Sequence, residues 1–251
     1  MNSGTIELKI QGAVSEVSLN RPEVLNAANR QWVDDLHCVL DELEATDGLR
    51  VIIVSGRGRS FCTGIDLKAL ASGEIEIDWF RRWEESLRRL EMLEAITIAK
   101  IHGHAIGGGL QVALACDLRI ASEDSQLGLS AVLEGLIPGL GTYRLPRFIG
   151  LGRARRMILT GQLIKAREAL EIGLVDWVVR RNELKAMTER LTEELMKGSR
   201  TAQYFSKRLA TDAFEKDFDA FCKVYLDAQK RALESAEHRN VMEQYRRVKG
   251  F

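Results

Sequence analysis

Cysteine is scarce in this chain: Cys38, Cys62, Cys116 and Cys222 are widely spaced and include no C-x-x-C pair. Free thiols in a reducing compartment are therefore the expectation, rather than a disulfide framework. The 4 histidines form no recognisable metal set, because His102 and His104 alone supply too few ligands. An excess of either charge is also missing, with Lys plus Arg at 36 and Asp plus Glu at 36. No long-range field recruits nucleic acid or an anionic membrane, and an anionic ligand has to be held by local donors. The chain shows no basic-then-apolar leader and no apolar run of about 18 residues, so a cytoplasmic protein without a membrane span is expected.

What is present is an ordinary globular composition, 45% hydrophobic and 29% charged over 251 residues. That length suits one large domain, or one domain with a helical appendage. Residues 5–10 and 14–19 read as a strand hairpin, and 26–44 carries apolar residues at helical spacing, closed by Asp47-Gly48. Val51–Val54 is an unbroken aliphatic run, the pattern of a strand covered on both faces. Further strands are predicted at 97–101, 117–121 and 175–179, with helices at 79–93 and 110–115. Strand–helix–strand alternation argues for parallel units. Beyond about Pro138 the pattern turns mostly helical, with faces over 153–159, 166–172, 183–196, 201–209 and 217–235.

Two glycine-bearing turns, Phe61–Leu67 and Gly107-Gly108-Gly109, each follow a predicted buried strand. Glycines at a helix entrance leave backbone N–H groups uncovered, and the helix dipole adds positive charge there. Two such groups meeting at one point would make an oxyanion hole, where removing one donor typically costs about 3–4 kcal/mol. A lone glycine triplet also serves close helix packing. Dinucleotide binding does not fit, since no G-x-G-x-x-G joins an early strand to its helix.

Asn20-Arg21-Pro22-Glu23-Val24-Leu25-Asn26-Ala27 resembles the N-R-P-x-x-x-N-A opening of the crotonase superfamily, and Phe61–Leu67 resembles its F-x-x-G-x-D-L turn. Ile101 to Gly109, followed by Ala113-Leu114-Ala115-Cys116-Asp117, is similar to the family's most specific block. Gly135–Gly139, Arg144-Leu145-Pro146, Leu159-Thr160-Gly161 and Gly173-Leu174-Val175 continue the family order across nearly the whole chain. The resemblance implies an α/β crotonase-like ββα spiral core over residues 1–195 and a helical trimerisation region over 196–251. It implies an enzyme of lyase or isomerase class that acts on an acyl thioester of coenzyme A, with hydration or isomerisation of an enoyl-CoA the most common reaction. Decarboxylation, thioester hydrolysis and non-catalytic acyl-CoA binding stay open as alternatives. Coenzyme A is part of the substrate, and no separate cofactor or metal is expected. By the same resemblance Ile65 and Gly108 supply the oxyanion amides. Val24, Ile65, Asp66, Leu67 and Lys68 line the coenzyme A path, with Tyr245 and Lys249 covering its nucleotide part. A homotrimer or a dimer of trimers is the implied assembly.

The sequence departs from the family where its hydratases carry two glutamates: those positions hold Gln111 and Ala131. Gln111 binds a water or a substrate atom but takes no proton at neutral pH, and Ala131 does neither. Glu134, three residues beyond Ala131, shares a face with it if the segment forms a helical turn. Glu134 and Gln111 are therefore the candidate catalytic side chains, with a solvated Glu134 as the bland alternative. His104, His102, Cys62 and Tyr143 are read as structural, and Glu74, Glu76 and Asp78 as a solvated face.

Overall fold

Val51–Val54 sits in the middle of the sheet, and its alternate side chains serve two cores. Ile52 and Val54 join a large core with Trp32, Leu36 and Leu40, while Val51 and Ile53 pack with Ile98, Ile120, Leu184, Met187 and Leu191 on the other face. A strand covered on both sides has no polar face, which is why the run is uniformly aliphatic.

The computed structural model describes residues 4–250. Residues 1–3 and 251, which the expected core and helical regions also include, lie outside the described residues. The strands are β1 (Ile6–Gln11), β2 (Val14–Leu19), β3 (Val51–Gly56), β4 (Ile96–Ile101), β5 (His104–Ile106), β6 (Leu118–Ser122), β7 (Gln126–Gly128), β8 (Ile164–Lys165) and β9 (Trp177–Val179). The helices are α1 (Arg30–Ala45), α2 (Leu67–Ala71), α3 (Ile77–Met92), α4 (Gly108–Leu114), α5 (Gly141–Ile149) and α6 (Leu151–Thr160). They continue with α7 (Ala166–Glu171), α8 (Leu184–Lys197), α9 (Arg200–Asp212), α10 (Phe218–Leu233) and α11 (Ala236–Lys249).

A six-stranded sheet runs β1-β2-β3-β4-β6-β9, antiparallel in the β1–β2 hairpin and parallel from β2 onward. A second sheet, β5-β7-β8, takes up the chain where it leaves the first, and parallel bridges Cys62–Ala105 and Ala28–Ile65 extend the same pattern. Strand, short second strand, helix recurs as β4-β5-α4. This is the α/β fold expected from the motifs, with helices following at the carboxy-terminal end. No helix among the described residues is long and apolar enough to cross a membrane.

One expected boundary moves by four residues for an identifiable reason. The helix anticipated from residue 26 begins at Arg30, because Leu25 and Asn26 have φ of 56° and 60° and Asn29 is the cap, its side chain accepting from Trp32 N. Helix α5, which is not among the expected helical faces, starts at Gly141 and tolerates Pro146 inside it.

The carboxy-terminal helices are tied to the core by two half-buried cations. Lys207 Nζ of α9 is 2.8 Å from Asp117 Oδ2 and donates to the carbonyls of Leu93 and Ala95. Arg50 donates to the last carbonyls of α8, at Leu195, Met196 and Gly198, offsetting the negative end of that helix. Farther out the packing thins: only Ala228 of α10 and no described residue of α11 is buried. Phe214, Phe218, Leu226 and Val248 are exposed there.

Candidate active site

The N-R-P-x-x-x-N-A segment acts as a clamp on the turn that follows β3. Asn26 is fully buried and its Nδ2 donates to three carbonyls, Arg57 O at 3.0 Å, Ser60 O at 2.9 Å and Phe61 O at 3.1 Å. Its Oδ1 accepts from Arg21 N at 2.8 Å. Two residues on, Ala28 N donates to Gly64 O and Ala28 O accepts from Asp66 N, at 2.7 and 2.9 Å. These bonds bracket Ile65 on the Ala28 side, so its own N–H faces the other way. Among the described residues, Ile65 N donates to no protein atom.

The second turn meets the first at van der Waals distance. A Cβ built on Gly64, whose φ is +88°, would come within 2.7 Å of Gly108 N, and one on Gly109 would come within 2.1 Å of Cys62 O. Glycine at these positions is a steric requirement for bringing the turns together. Gly108 is the first residue of α4, so its N–H has no partner within the helix. Ile65 and Gly108 both line one cavity of about 470 Å³.

Val24, Asp66, Leu67 and Lys68 line the same cavity, as do Gln111, Ala131 and Glu134. Tyr245 and Lys249, on exposed α11, do not. Asp66 caps α2, accepting from Lys68 N and Ala69 N, and pairs with Arg21 at 3.0 Å. Burial would raise its pKa, but Arg21 and the two backbone N–H groups together hold it below the usual carboxylate range. Its carboxylate is thus spent on structure, and among the described residues lining the cavity the exposed Lys68 is the one lysine or arginine.

At the opposite end, Gln111 is 5% exposed and its Oε1 accepts from Gly141 N at 3.1 Å. That bond fixes the orientation of the amide. Its Nε2 donates to no protein atom among the described residues, leaving two N–H donors at the cavity. Ala131 and Glu134 lie on one 3-10 turn, and Glu134 is exposed at the cavity wall, its side chain without a hydrogen-bond partner among the described residues. An apolar wall is built by Trp79, Phe80 and Trp83 of α3. Trp83 stacks between Trp32 and Trp79, with centroids 5.1 and 5.2 Å apart.

Sequence reasoning missed Glu84, a cavity-lining carboxylate. Its Oε1 accepts from Leu140 N at 2.7 Å and its Oε2 from Arg144 Nη1 at 2.6 Å. Its position four residues after Phe80 and three before Leu87 puts it on the apolar face of α3. That is the one signal available in a helix otherwise rich in solvated charge.

The residues read as structural are engaged elsewhere. Cys62 Sγ donates to Asn26 O at 3.1 Å, and burial pushes its pKa up to about 12 against the lowering by Gly64 N–H, so it is a thiol and not a nucleophile. His104 Nδ1 pairs with the buried Ser60 Oγ at 3.0 Å, and His102 Nε2 lies 3.1 Å from Gly58 O. Tyr143 donates to Glu215 at 3.0 Å. No group of three or more metal-ligating side chains is placed to hold an ion among the described residues.

Comparison with known proteins identifies the family. The profile of the enoyl-CoA hydratase/isomerase family matches residues 9–249. The chain is 32% identical to the short-chain-enoyl-CoA hydratase of Clostridium acetobutylicum, over 100% of this chain and 99% of that one. Its fold superposes on the crystal structure of an enoyl-CoA hydratase from Bacillus anthracis with a TM-score of 0.91 at 30% identity, covering 97% and 96% of the two chains. A Thermobifida fusca protein solved in complex with CoA superposes with a TM-score of 0.83 at 30% identity, covering 92% and 93%. With this fold, this cavity and a profile match spanning nearly its whole length, the chain belongs to the enoyl-CoA hydratase/isomerase family of acyl-CoA enzymes.

Proposed function

We propose that the protein adds water across the double bond of an enoyl-CoA. The observation that carries this reading is the pair of unpartnered main-chain N–H groups, Ile65 and Gly108, on one cavity wall with Gln111 and Glu134 nearby. The thioester oxygen accepts from both amides. When a nucleophile bonds to the β-carbon, the double-bond electrons move toward that oxygen, and the amides stabilise the enolate by about 3–4 kcal/mol per donor. Gln111 orients through its amide donors, and Glu134 moves the proton at the α-carbon. In this reading Gln111 and Ala131 stand where hydratases of the family carry glutamates, and acid–base work is displaced to other side chains.

The mouth of the cavity suits coenzyme A. Backbone around Val24 and Ile65–Lys68 follows the pantetheine, and Lys68 offers charge to the phosphates. Tyr245 and Lys249, remote from this chain's own cavity, belong to the nucleotide site of a neighbouring subunit in a homotrimer or dimer of trimers. The exposed apolar side chains of α10 and α11, among them Phe218, Leu226 and Val248, support that assembly, and the free thiols support a cytoplasmic setting.

The test is mass spectrometry of products from a panel of trans-2-enoyl-, 3-enoyl-, malonyl- and 3-oxoacyl-CoA thioesters. The expected product is the hydrated trans-2-enoyl thioester, with Glu134→Gln slowed by about 10²–10⁴-fold. Tight binding of the panel without turnover of any member would make the protein an acyl-CoA binder and overturn the proposal.

A further inference from the structure

Glu84 and Gln111 flank one spot in the cavity wall. A Cβ on Gly139 would stand 2.6 Å from Glu84 Oε1, 3.2 Å from Gln111 Oε1 and 3.4 Å from Gln111 Nε2. Glycine at 139, with φ of +47°, keeps the space between the carboxylate and the amide open to the cavity. Glu84 thus sets a carboxylate beside the Gln111 amide, which has no proton-accepting group.

Glu84 has unused capacity to accept a proton. A carboxylate offers about four lone-pair sites, and the protein occupies two of them, with Leu140 N and Arg144 Nη1. Arg144 is 5% exposed, so leaving its guanidinium unpaired would be costly. It would not be left so: Arg144 Nε also donates to Glu91 Oε1, and Glu91 is held on its far side by Arg88 at 3.2 Å. When Glu84 gains a proton, Glu91 continues to neutralise Arg144. The shared arginine holds the Glu84 carboxylate in place at the cavity between turnovers.

We propose that Glu84 is the second catalytic carboxylate of this site, taking the proton of the attacking water. The step rests on the hydration reading above. Gln111 Nε2 donates to the water oxygen, which bonds to the β-carbon as Glu84 removes one of its protons. The π electrons pass to the thioester oxygen, held by Ile65 and Gly108. A proton drawn from solvent is relayed through Glu134 to the α-carbon, and Glu84 returns its proton to solvent. Two carboxylates and one water are thereby restored from positions different from those of the family's usual pair.

The experiment compares Glu84→Gln with Glu91→Gln for hydration of crotonyl-CoA and longer trans-2-enoyl-CoA thioesters. Both variants remove one partner of Arg144, but only Glu84 lines the cavity. The amide oxygen introduced by Glu84→Gln can still accept from Leu140 N, so the turn is retained. The expected result is a kcat lower by about 10²-fold or more for Glu84→Gln with KM changed little, and a clearly smaller kcat loss, within about tenfold, for Glu91→Gln, which weakens the support of Arg144 but leaves the cavity carboxylate in place. Should Glu84→Gln not fold, Glu84→Asp keeps the charge and withdraws the oxygen by one methylene; a comparable kcat loss is expected there. Equal losses in the Glu84 and Glu91 variants, or near-wild-type turnover without the Glu84 carboxylate, would assign Glu84 a structural role and overturn the proposal. A wild-type protein that turns over no enoyl thioester would instead sink the hydration reading beneath it.

Discussion

Replacing Gly109 by alanine isolates the contact on which the paired amides depend. In an ordinary helix the change is favourable, by about 0.8–1 kcal/mol, and Gly109 has no positive φ to forbid it. The obstacle is steric: the new Cβ would lie 2.1 Å from Cys62 O and 2.6 Å from Cys62 C. Cys62 has little freedom to yield. Its N donates to His104 O at 2.9 Å, its O accepts from Ile106 N at 3.1 Å and its thiol donates to Asn26 O at 3.1 Å. Reaching a tolerable C···O separation of about 3.3 Å requires the two turns to part by about 1 Å. Overpacking of this kind costs about 1–3 kcal/mol, partly offset by the gain in helix propensity, so the protein should still fold. The rate should suffer more, because a displacement of about 1 Å in a positioned group costs about 10²-fold. The assay is steady-state hydration of crotonyl-CoA alongside thermal denaturation. A Gly109→Ala protein that folds and keeps kcat within about threefold of wild type would show that the two amides do not act as a pair.

Asn26→Asp keeps the positive φ, which aspartate tolerates, and retains the acceptor for Arg21 N. It turns the three-carbonyl donor into an anion facing Arg57, Ser60 and Phe61 oxygens. A loss of about 3 kcal/mol or more is expected from urea denaturation; a near-neutral result would mean the clamp contributes little. Glu237 of α11 accepts from Ser199 Oγ and from the N–H groups of Arg200 and Thr201. The Ser199 hydrogen bond first, and then these N–H groups against a raising by burial, bring its pKa down from 4.5 to about 2. A depressed value means the contribution is complete above the unfolded pKa and lost as pH falls toward about 2. Urea midpoints measured between about pH 6 and 3 should therefore fall more steeply for wild type than for Glu237→Gln, and parallel profiles would contradict the assignment.

The legibility of this protein followed the range of the physics involved. Strands and long helices announce themselves by local periodicity, and Val51–Val54 and the apolar face from Trp32 to Leu43 appear in the structure as expected. Short elements do not: β5, β7 and β8 have three residues or fewer and are held by pairing partners distant in sequence. Helix α5 was hidden because Gly139, Gly141 and Pro146 are local signals against a helix, overridden by the bonds from Glu84 and Gln111 to the Leu140 and Gly141 amides.

The amino-acid sequence alone determined the family and the two glycine turns, since each depends on residue identity at a fixed spacing. Which carboxylates stand at the cavity was decided only by tertiary packing. Glu84, on a helix whose pattern suggests an exposed charged face, is turned inward by the Trp79–Trp83 stack and Arg144, while Asp66 is spent on its cap and on Arg21. Side chains separated by tens of residues meet because α3 crosses the turn before α5, and no local pattern encodes that meeting.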